Sequence, residues 1–244
     1  MQNDPAIFEE EFRVFQADCD FNNRLMPGAL LRMTQQISTD HCDHLGMDRA
    51  YYERTQRAYL LAKMTMRWKR VPHEDELLRL TTRPELPRRA VYKRVTEIRD
   101  ASGEEIGLVD SRWVLIDTRT RHILRRLPED MDPAAFSEVV DRELPIRFPK
   151  PDVLEDAGTA WAKYSYCDIN GHLNNTHYAD IACDVLPMSE LSRPVVEMSV
   201  NYHSELPAGE HCTLQRGRLD EDRWYVCGSK EDRSCFEAVL TLGR

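Results

Sequence analysis

The strongest constraint on this chain is that its pattern runs twice. A strand-like run, a turn-rich stretch, a helix-spaced apolar run and an antiparallel meander fill the first half, and the same order returns in the second. Asp20-Phe-Asn22-Asn-Arg24-Leu25 lies over Asp168-Ile-Asn170-Gly-His172-Leu173 at an offset of 148. Met64-Thr-Met-Arg-Trp68 lies over Met198-Ser-Val-Asn-Tyr202 at an offset of 134, so the second copy is 14 residues shorter in between (148 less 134). Two matches in one order and one context mark an internal duplication, with a shorter helix and loop in the second copy. Each copy has to bury a helical stripe and one face of a sheet. A helix lying across a curved antiparallel sheet does both, which makes the fold α+β.

In the first copy, Ile7 to Ala17 alternates as a strand, with Phe8, Phe12, Val14 and Phe15 among acidic and basic residues. Pro27 suits a first helical turn, and Leu30, Met33, Ile37 and Leu45 follow at helical spacing up to Gly46. A short helix over Asp48–Arg54 and strands near 59–69, 76–84, 89–99 and 106–117 complete this copy. Residues 128–158 hold Pro128, Pro133, Pro145, Pro149 and Pro151 and read as a connector, with a short helix at Ala134–Val140. Thr159 to Cys167 then restarts the pattern as a strand. Tyr178, Ile181, Ala182, Val185 and Leu186 mark a helix, and strands follow near 195–205, 210–219, 223–229 and 233–242. The expected division is 1–127, a connector 128–158, and 159–244.

Composition narrows the function. Hydrophobic residues make up 41% and charged residues 31%, enough for a core with a solvated surface. No apolar run approaches the ~20 residues of a membrane span. The start, Met1-Gln2-Asn3-Asp4-Pro5, lacks the basic and apolar segments of a signal peptide, so a cytoplasmic protein is expected. Seven cysteines without a Cys-x-x-Cys fit free thiols. A net charge of −9 argues against nucleic acid as a partner. The charge is uneven: residues 57–130 hold 17 basic and 12 acidic side chains, a net of +5, which would steer an acidic partner there.

The chemistry concentrates at 168–177, where Asp168, Asn170, His172, Asn174, Asn175 and His177 crowd a strand-to-helix junction. Backbone N–H groups at such a junction are unpaired and can hold an anion or a polarised carbonyl oxygen. His172 is the natural general acid or base. Glu205 could orient it or hold a water, Asn170 could donate to an oxyanion, and Asp168 could fix Asn170 or attack a carbonyl itself. Alternation over 196–205 places Glu197, Ser199, Asn201, His203 and Glu205 on one face of a strand. The first copy has Arg24 at the place of His172 and Val71 at that of Glu205, so only the second copy carries the full set. The plainer reading is structural: Asp, Asn and Gly are turn formers, and Asn174 or Asn175 could be a helix N-cap. Asp168, His172, His177 or His203 could ligate a metal, but no His-x-x-x-His or Cys/His cluster supports it. Cys167 and Cys183 read as small core residues, and no Gly-x-Ser-x-Gly, Walker or dinucleotide fingerprint is present.

At these residues the chain resembles the acyl-acyl carrier protein thioesterases, the plant-type fatty-acid chain-terminating enzymes and their bacterial relatives. That family's Asp-x-Asn-x-His-x-Asn-Asn-x-x-Tyr signature reads here as Asp168-Ile-Asn170-Gly-His172-Leu-Asn174-Asn175-Thr-His-Tyr178, and its later strand ending in Glu as Asn201-Tyr202-His203-Ser204-Glu205. The resemblance implies a tandem hot-dog fold, each half a long helix wrapped by a curved antiparallel sheet. It implies catalytic Asp168, Asn170, His172 and Glu205 in the second copy, no cofactor and no metal. The first copy would shape the acyl pocket. Acyl carrier protein would dock on a basic surface, with Arg67, Lys69, Arg70, Arg88, Arg89, Lys93 and Arg94 as candidates. Many plant members carry a Cys directly after the Glu; here it is Leu206, so an active protein cannot need that thiol. The implied reaction is hydrolysis of acyl-acyl carrier protein to free fatty acid in fatty acid biosynthesis. An acyl-CoA thioesterase and a non-catalytic acyl-ligand sensor on the same fold are the rivals, and a hydratase has only the fold in its favour. The tandem copy can replace a homodimer, although a homodimer of whole chains is compatible with it.

Overall fold

The structure, a computed structural model, describes residues 4–138, 142–144 and 146–243. Among these residues the strands are β1 (Phe8–Arg13), β2 (Arg57–Trp68), β3 (Leu77–Pro84), β4 (Tyr92–Arg99), β5 (Glu105–Asp117), β6 (Glu155–Trp161), β7 (Val195–Tyr202), β8 (His211–Arg218), β9 (Arg223–Lys230) and β10 (Arg233–Leu242). The helices are α1 (Pro27–His44), α2 (Arg49–Thr55) and α3 (His177–Asp184). The strands form one antiparallel sheet in the order β1-β3-β4-β5-β2-β7-β10-β9-β8-β6. The second five repeat the first five in reverse, as a two-fold axis between the copies requires.

That axis can be placed by residue. Thr65 pairs with Ser199 across the β2/β7 seam, and these are equivalent positions at the offset of 134. Their buried hydroxyls lie 2.7 Å apart. Arg32 Nη1 lies 3.2 Å from Asp180 Oδ2, and these are equivalent at 148. Residues that meet their own copies must sit beside the axis. Gly28 shows how closely the halves approach: it donates its N–H to Asp180 Oδ1 at 3.1 Å, and a Cβ there would fall 2.1 Å from that oxygen.

One apolar core spans both copies, with Leu30, Ile37 and Leu80 from the first and Met198, Val200 and Phe236 from the second. A smaller cluster under α2 includes Met47, Tyr92, Leu115 and Phe136. The helices differ in length. α1 starts on Pro27 and runs 18 residues, whereas α3 runs only 8. Pro187 disfavours helix at the residue before it, which stops the second helix early. The second half is therefore a hot-dog with a short helix, not a long one, and the whole is a tandem hot-dog of α+β class.

Four boundaries differ most from the sequence reading. β6 stops at Trp161, before a 3₁₀ turn at Tyr164–Tyr166, instead of running to Cys167. β1 stops at Arg13, before a 3₁₀ turn at Gln16–Asp18. β6 begins at Glu155, inside the expected connector. β7 stops at Tyr202 instead of running to 205. In the connector, Asp132 caps a 3₁₀ turn at Pro133–Ala135; Val139 and Val140 of the expected helix lie outside the described residues. The connector lies against β4 and β5, where Arg142 Nη1 reaches Glu97 (3.0 Å) and Glu105 (2.5 Å).

Candidate active site

The polar stretch folds as a tight loop before α3. Cys167 bridges Leu173, Asp168 N donates to His172 O at 2.9 Å, and Gly171 turns the corner at φ +77°. The first copy builds the same loop: Cys19 bridges Leu25, Asp20 N donates to Arg24 O at 2.8 Å, and Asn23 takes φ +59°. Glycine and asparagine are the residues that accept this left-handed backbone most readily. Asp168 Oδ1 accepts from Asn170 N (2.8 Å) and Oδ2 from Asn170 Nδ2 (3.4 Å). Asp20 likewise accepts from Asn22 N (2.8 Å) and Arg24 N (2.9 Å). The aspartate thus closes the turn in both copies, and this suits Asp168 to fixing the Asn170 amide. Asn174 Oδ1 accepts from Thr176 N and Oγ1, both at 2.9 Å, but neither Asn174 nor Asn175 is the N-cap of α3, which is Thr176.

What differs between the copies is where the remaining side chains go. Asn22 Nδ2 donates to Leu191 O (3.0 Å) and Arg24 Nη2 to Ser192 O (2.6 Å), so the first loop is spent on tying down a neighbouring turn. Val71 packs against the core. In the second copy, His172 Nε2 stands 3.8 Å from Glu205 Oε2, with the two side chains 30% and 39% exposed. One water can touch both groups across that gap.

Glu205 reaches His172 because β7 ends early. A continued strand would carry Glu205 to the face of Glu197 and Ser199, opposite Tyr202, whose ring meets Tyr178 of α3 edge-on at 5.6 Å. Instead His203 N and Ser204 N both donate to Cys235 O, at 2.9 and 3.2 Å, and the chain turns away. Leu173 N donates to Leu206 O (2.9 Å) and Ala208 N to Gly171 O (2.9 Å), stitching the Glu205 turn to the His172 loop. Glu205 therefore sits in a turn beyond β7, not on the strand face that alternation predicts.

Arg121 completes the cluster from the first copy. Its Nη2 lies 3.3 Å from Glu205 Oε2. The sequence reading missed it, and no motif marks it: it belongs to the turn after β5 and lies 84 residues from its partner.

Two cavities meet here. Asp168, Asn170, His172, Glu205 and Arg121 border an open cleft of about 710 Å³. A larger cavity of about 1090 Å³ runs into the first half, past Cys42, Trp113, Tyr92 and Arg94. Tyr59, Asp168, Asn170 and Asn175 border both, so the polar cluster sits at the mouth of a chamber in the first half. The cysteines of the sequence reading stay out of it: burial raises the Cys183 thiol, and the Cys167 thiol donates to Ala162 O.

The seven basic candidates do not form one surface. Lys93 and Arg94 are buried, which corrects their assignment to a docking face. Lys93 pairs with Glu85 at 2.9 Å where the connector covers the strand. Arg67 pairs with Glu197 (2.5 Å), Lys69 with Glu105 (2.9 Å) and Arg70 with Glu76 (2.8 Å). Arg88 and Arg89 are exposed in the β3–β4 hairpin and make no ion pair among the described residues.

Comparisons with known proteins bear on the family and the fold. The acyl-ACP thioesterase N-terminal domain matches residues 5–133 and the acyl-ACP thioesterase C-terminal domain residues 158–234. Among solved structures, an acyl-ACP thioesterase from Bacteroides thetaiotaomicron is 22% identical, with 100% of each chain covered and a TM-score of 0.89. The 12:0-ACP thioesterase from Umbellularia californica is 14% identical, covering 98% of this chain and 94% of that one, with a TM-score of 0.81. No curated protein matches the sequence. With more than half of its length matched by the N-terminal domain alone, the chain belongs to the acyl-ACP thioesterase family, whose members are hydrolases acting on thioesters.

Proposed function

We propose that the protein hydrolyses the thioester of a fatty acyl-acyl carrier protein, releasing free fatty acid and carrier protein during fatty acid synthesis in the cytoplasm. One observation carries the reading: His172 and Glu205 face a single cleft that opens, at Asn170, into a large chamber of the other half. In this reading the half 159–244 performs the chemistry, 1–127 houses the acyl chain, and 128–158 joins them.

The thioester carbonyl lies near Asn170, whose amide donates to the oxygen as it gains charge. His172, with Glu205 beside it, takes a proton from a water, which attacks the carbonyl carbon. The tetrahedral intermediate collapses, the carbon–sulfur bond breaks, and His172 returns the proton to the departing sulfur. Arg121 holds the Glu205 carboxylate in place. Asp168 positions Asn170.

The test is hydrolysis of acyl-carrier-protein thioesters over a panel of chain lengths, with acyl-CoA in parallel. Release of free acid that depends on His172 and Glu205, and is faster from the carrier protein, supports the reading. Faster turnover of acyl-CoA would move the substrate to the coenzyme, and tight acyl binding without turnover would leave a sensor.

A further inference from the structure

The chamber in the first half has a wall that a plain hydrocarbon does not need. Alternate residues of β4 share a face, and Tyr92, Arg94 and Thr96 are on the side towards α1. Arg94 is only 8% exposed, yet no carboxylate among the described residues lies within ion-pair distance of it. Its Nη1 donates to His41 Nδ1 (3.1 Å) and Thr82 Oγ1 (3.2 Å), and its Nη2 lies 3.9 Å from Cys42 Sγ. None of these is a carboxylate. His41 Nε2 donates to Pro5 O at 2.8 Å, which leaves Nδ1 as the acceptor. Burial outweighs that bond and lowers His41 to about 4, so the ring is neutral.

A buried guanidinium without an anion is costly. Two more polar groups face the same chamber. Among the described residues the Tyr92 hydroxyl, on a side chain 4% exposed, makes no hydrogen bond, and neither does the Tyr52 hydroxyl beyond its contact with the Cys42 thiol. Both residues border the same chamber as Arg94. Tyr59 lies between them, with its ring edge-on to Tyr52 at 6.0 Å and to Tyr92 at 5.1 Å. Phenylalanine at these positions would line an alkyl tunnel without stranding any polar atom. A methylene chain filling the chamber would displace water and leave the tyrosine hydroxyls without an acceptor and Arg94 without an anion or a further acceptor, whereas an oxygen on the chain could accept from them.

We propose that Arg94, Tyr92 and Tyr52 form a subsite for an acyl chain that bears an oxygen function, a hydroxyl or oxo group, at a distance from the thioester. This rests on the thioesterase reading and names its substrate class.

The experiment uses the full chain and acyl-pantetheine thioesters: one straight and saturated, the others of equal length with a hydroxyl or oxo group walked along the chain. At one position the oxygenated chain should exceed the plain one in kcat/KM by about tenfold, the scale of a hydrogen bond to a charged donor. Tyr92→Phe and Arg94→Met should each bring that ratio towards one. Tyr92→Phe removes only an unpartnered hydroxyl and should keep or raise the melting temperature, which separates lost selectivity from lost folding. A ratio near or below one at every position, or one that survives in both variants, overturns the subsite. If no thioester in the panel is hydrolysed, the thioesterase reading fails, and calorimetric binding of the same chains as free acids decides the subsite. Tighter binding of an oxygenated acid by the wild type but not by Tyr92→Phe upholds it; equal binding overturns it.

Discussion

At one point of the same loop the second copy holds His172, 3.8 Å from Glu205, and the first holds Arg24, bound to a neighbouring carbonyl. The turn itself is closed by main-chain atoms and the aspartate, so the histidine ring is free of structural duty there. His172→Ala and Glu205→Gln should therefore keep the melting temperature and lower thioester hydrolysis by about 100-fold or more, the low end of general acid–base effects. Hydrolysis rates near wild type would remove both from the mechanism. Asp168→Asn is the informative contrast. It keeps an acceptor for Asn170 N and should lose less than His172→Ala; if Asp168 attacked directly, it would lose as much, and single turnover in ¹⁸O-labelled water would label the Asp168 carboxylate. The duplication made His172 and Glu205 legible, because it supplied an internal comparison of residues at equivalent positions. Arg121 had no such signal, since a contact between turns of different halves leaves no spacing in the chain. Lys93 and Arg94 misled for a related reason: a count of charges does not say which face of β4 each one takes, or that a connector covers it.

Elements were read more securely than their ends. Period-two alternation, turn residues and helical spacing placed all ten strands and three helices of the described residues, because these signals are local. Where β7 stops is set by Cys235 on another strand, whose carbonyl takes the N–H groups of His203 and Ser204. That was not visible in residues 196–205 themselves. The β2/β7 seam makes a sharper prediction. Thr65 and Ser199 satisfy each other in a buried position, so Thr65→Val or Ser199→Ala alone strands one hydroxyl and should cost about 1–3 kcal/mol in urea unfolding. The double variant should cost less than the sum. Strict additivity would mean that the hydroxyls do not interact. α1 adds a pH dependence through His41, whose imidazole is buried and stacked on Phe8 at 5.3 Å. Its folded value of about 4 lies below the ~6.5 of an unfolded histidine, so the unfolded chain binds the proton first. Its contribution is complete above about 6.5 and is lost as pH falls towards 4, to a total of about 3 kcal/mol. His41→Gln should flatten that part of the stability–pH curve, and an unchanged curve would assign the loss to other groups.

On the scale of the whole molecule, five of the seven basic candidates within 57–130 turn out to be two buried side chains and three ion-paired ones. A docking surface for an acidic carrier cannot be read from net charge when its cations are already matched. Arg88 and Arg89 remain, exposed on one hairpin and without an ion pair among the described residues. Paired charges at a surface contribute little to long-range attraction, whereas unmatched ones steer an oppositely charged partner at low salt. Reversing both, Arg88→Glu with Arg89→Glu, should lower kcat/KM on an acyl-carrier-protein thioester relative to acyl-pantetheine by about tenfold at low ionic strength. The gap should narrow as salt is added, because screening removes the attraction that the wild type enjoys as well as the repulsion in the variant. A ratio that does not move at low salt would place the carrier on another face. A ratio that falls but ignores salt would mean that the hairpin acts through shape and not through charge.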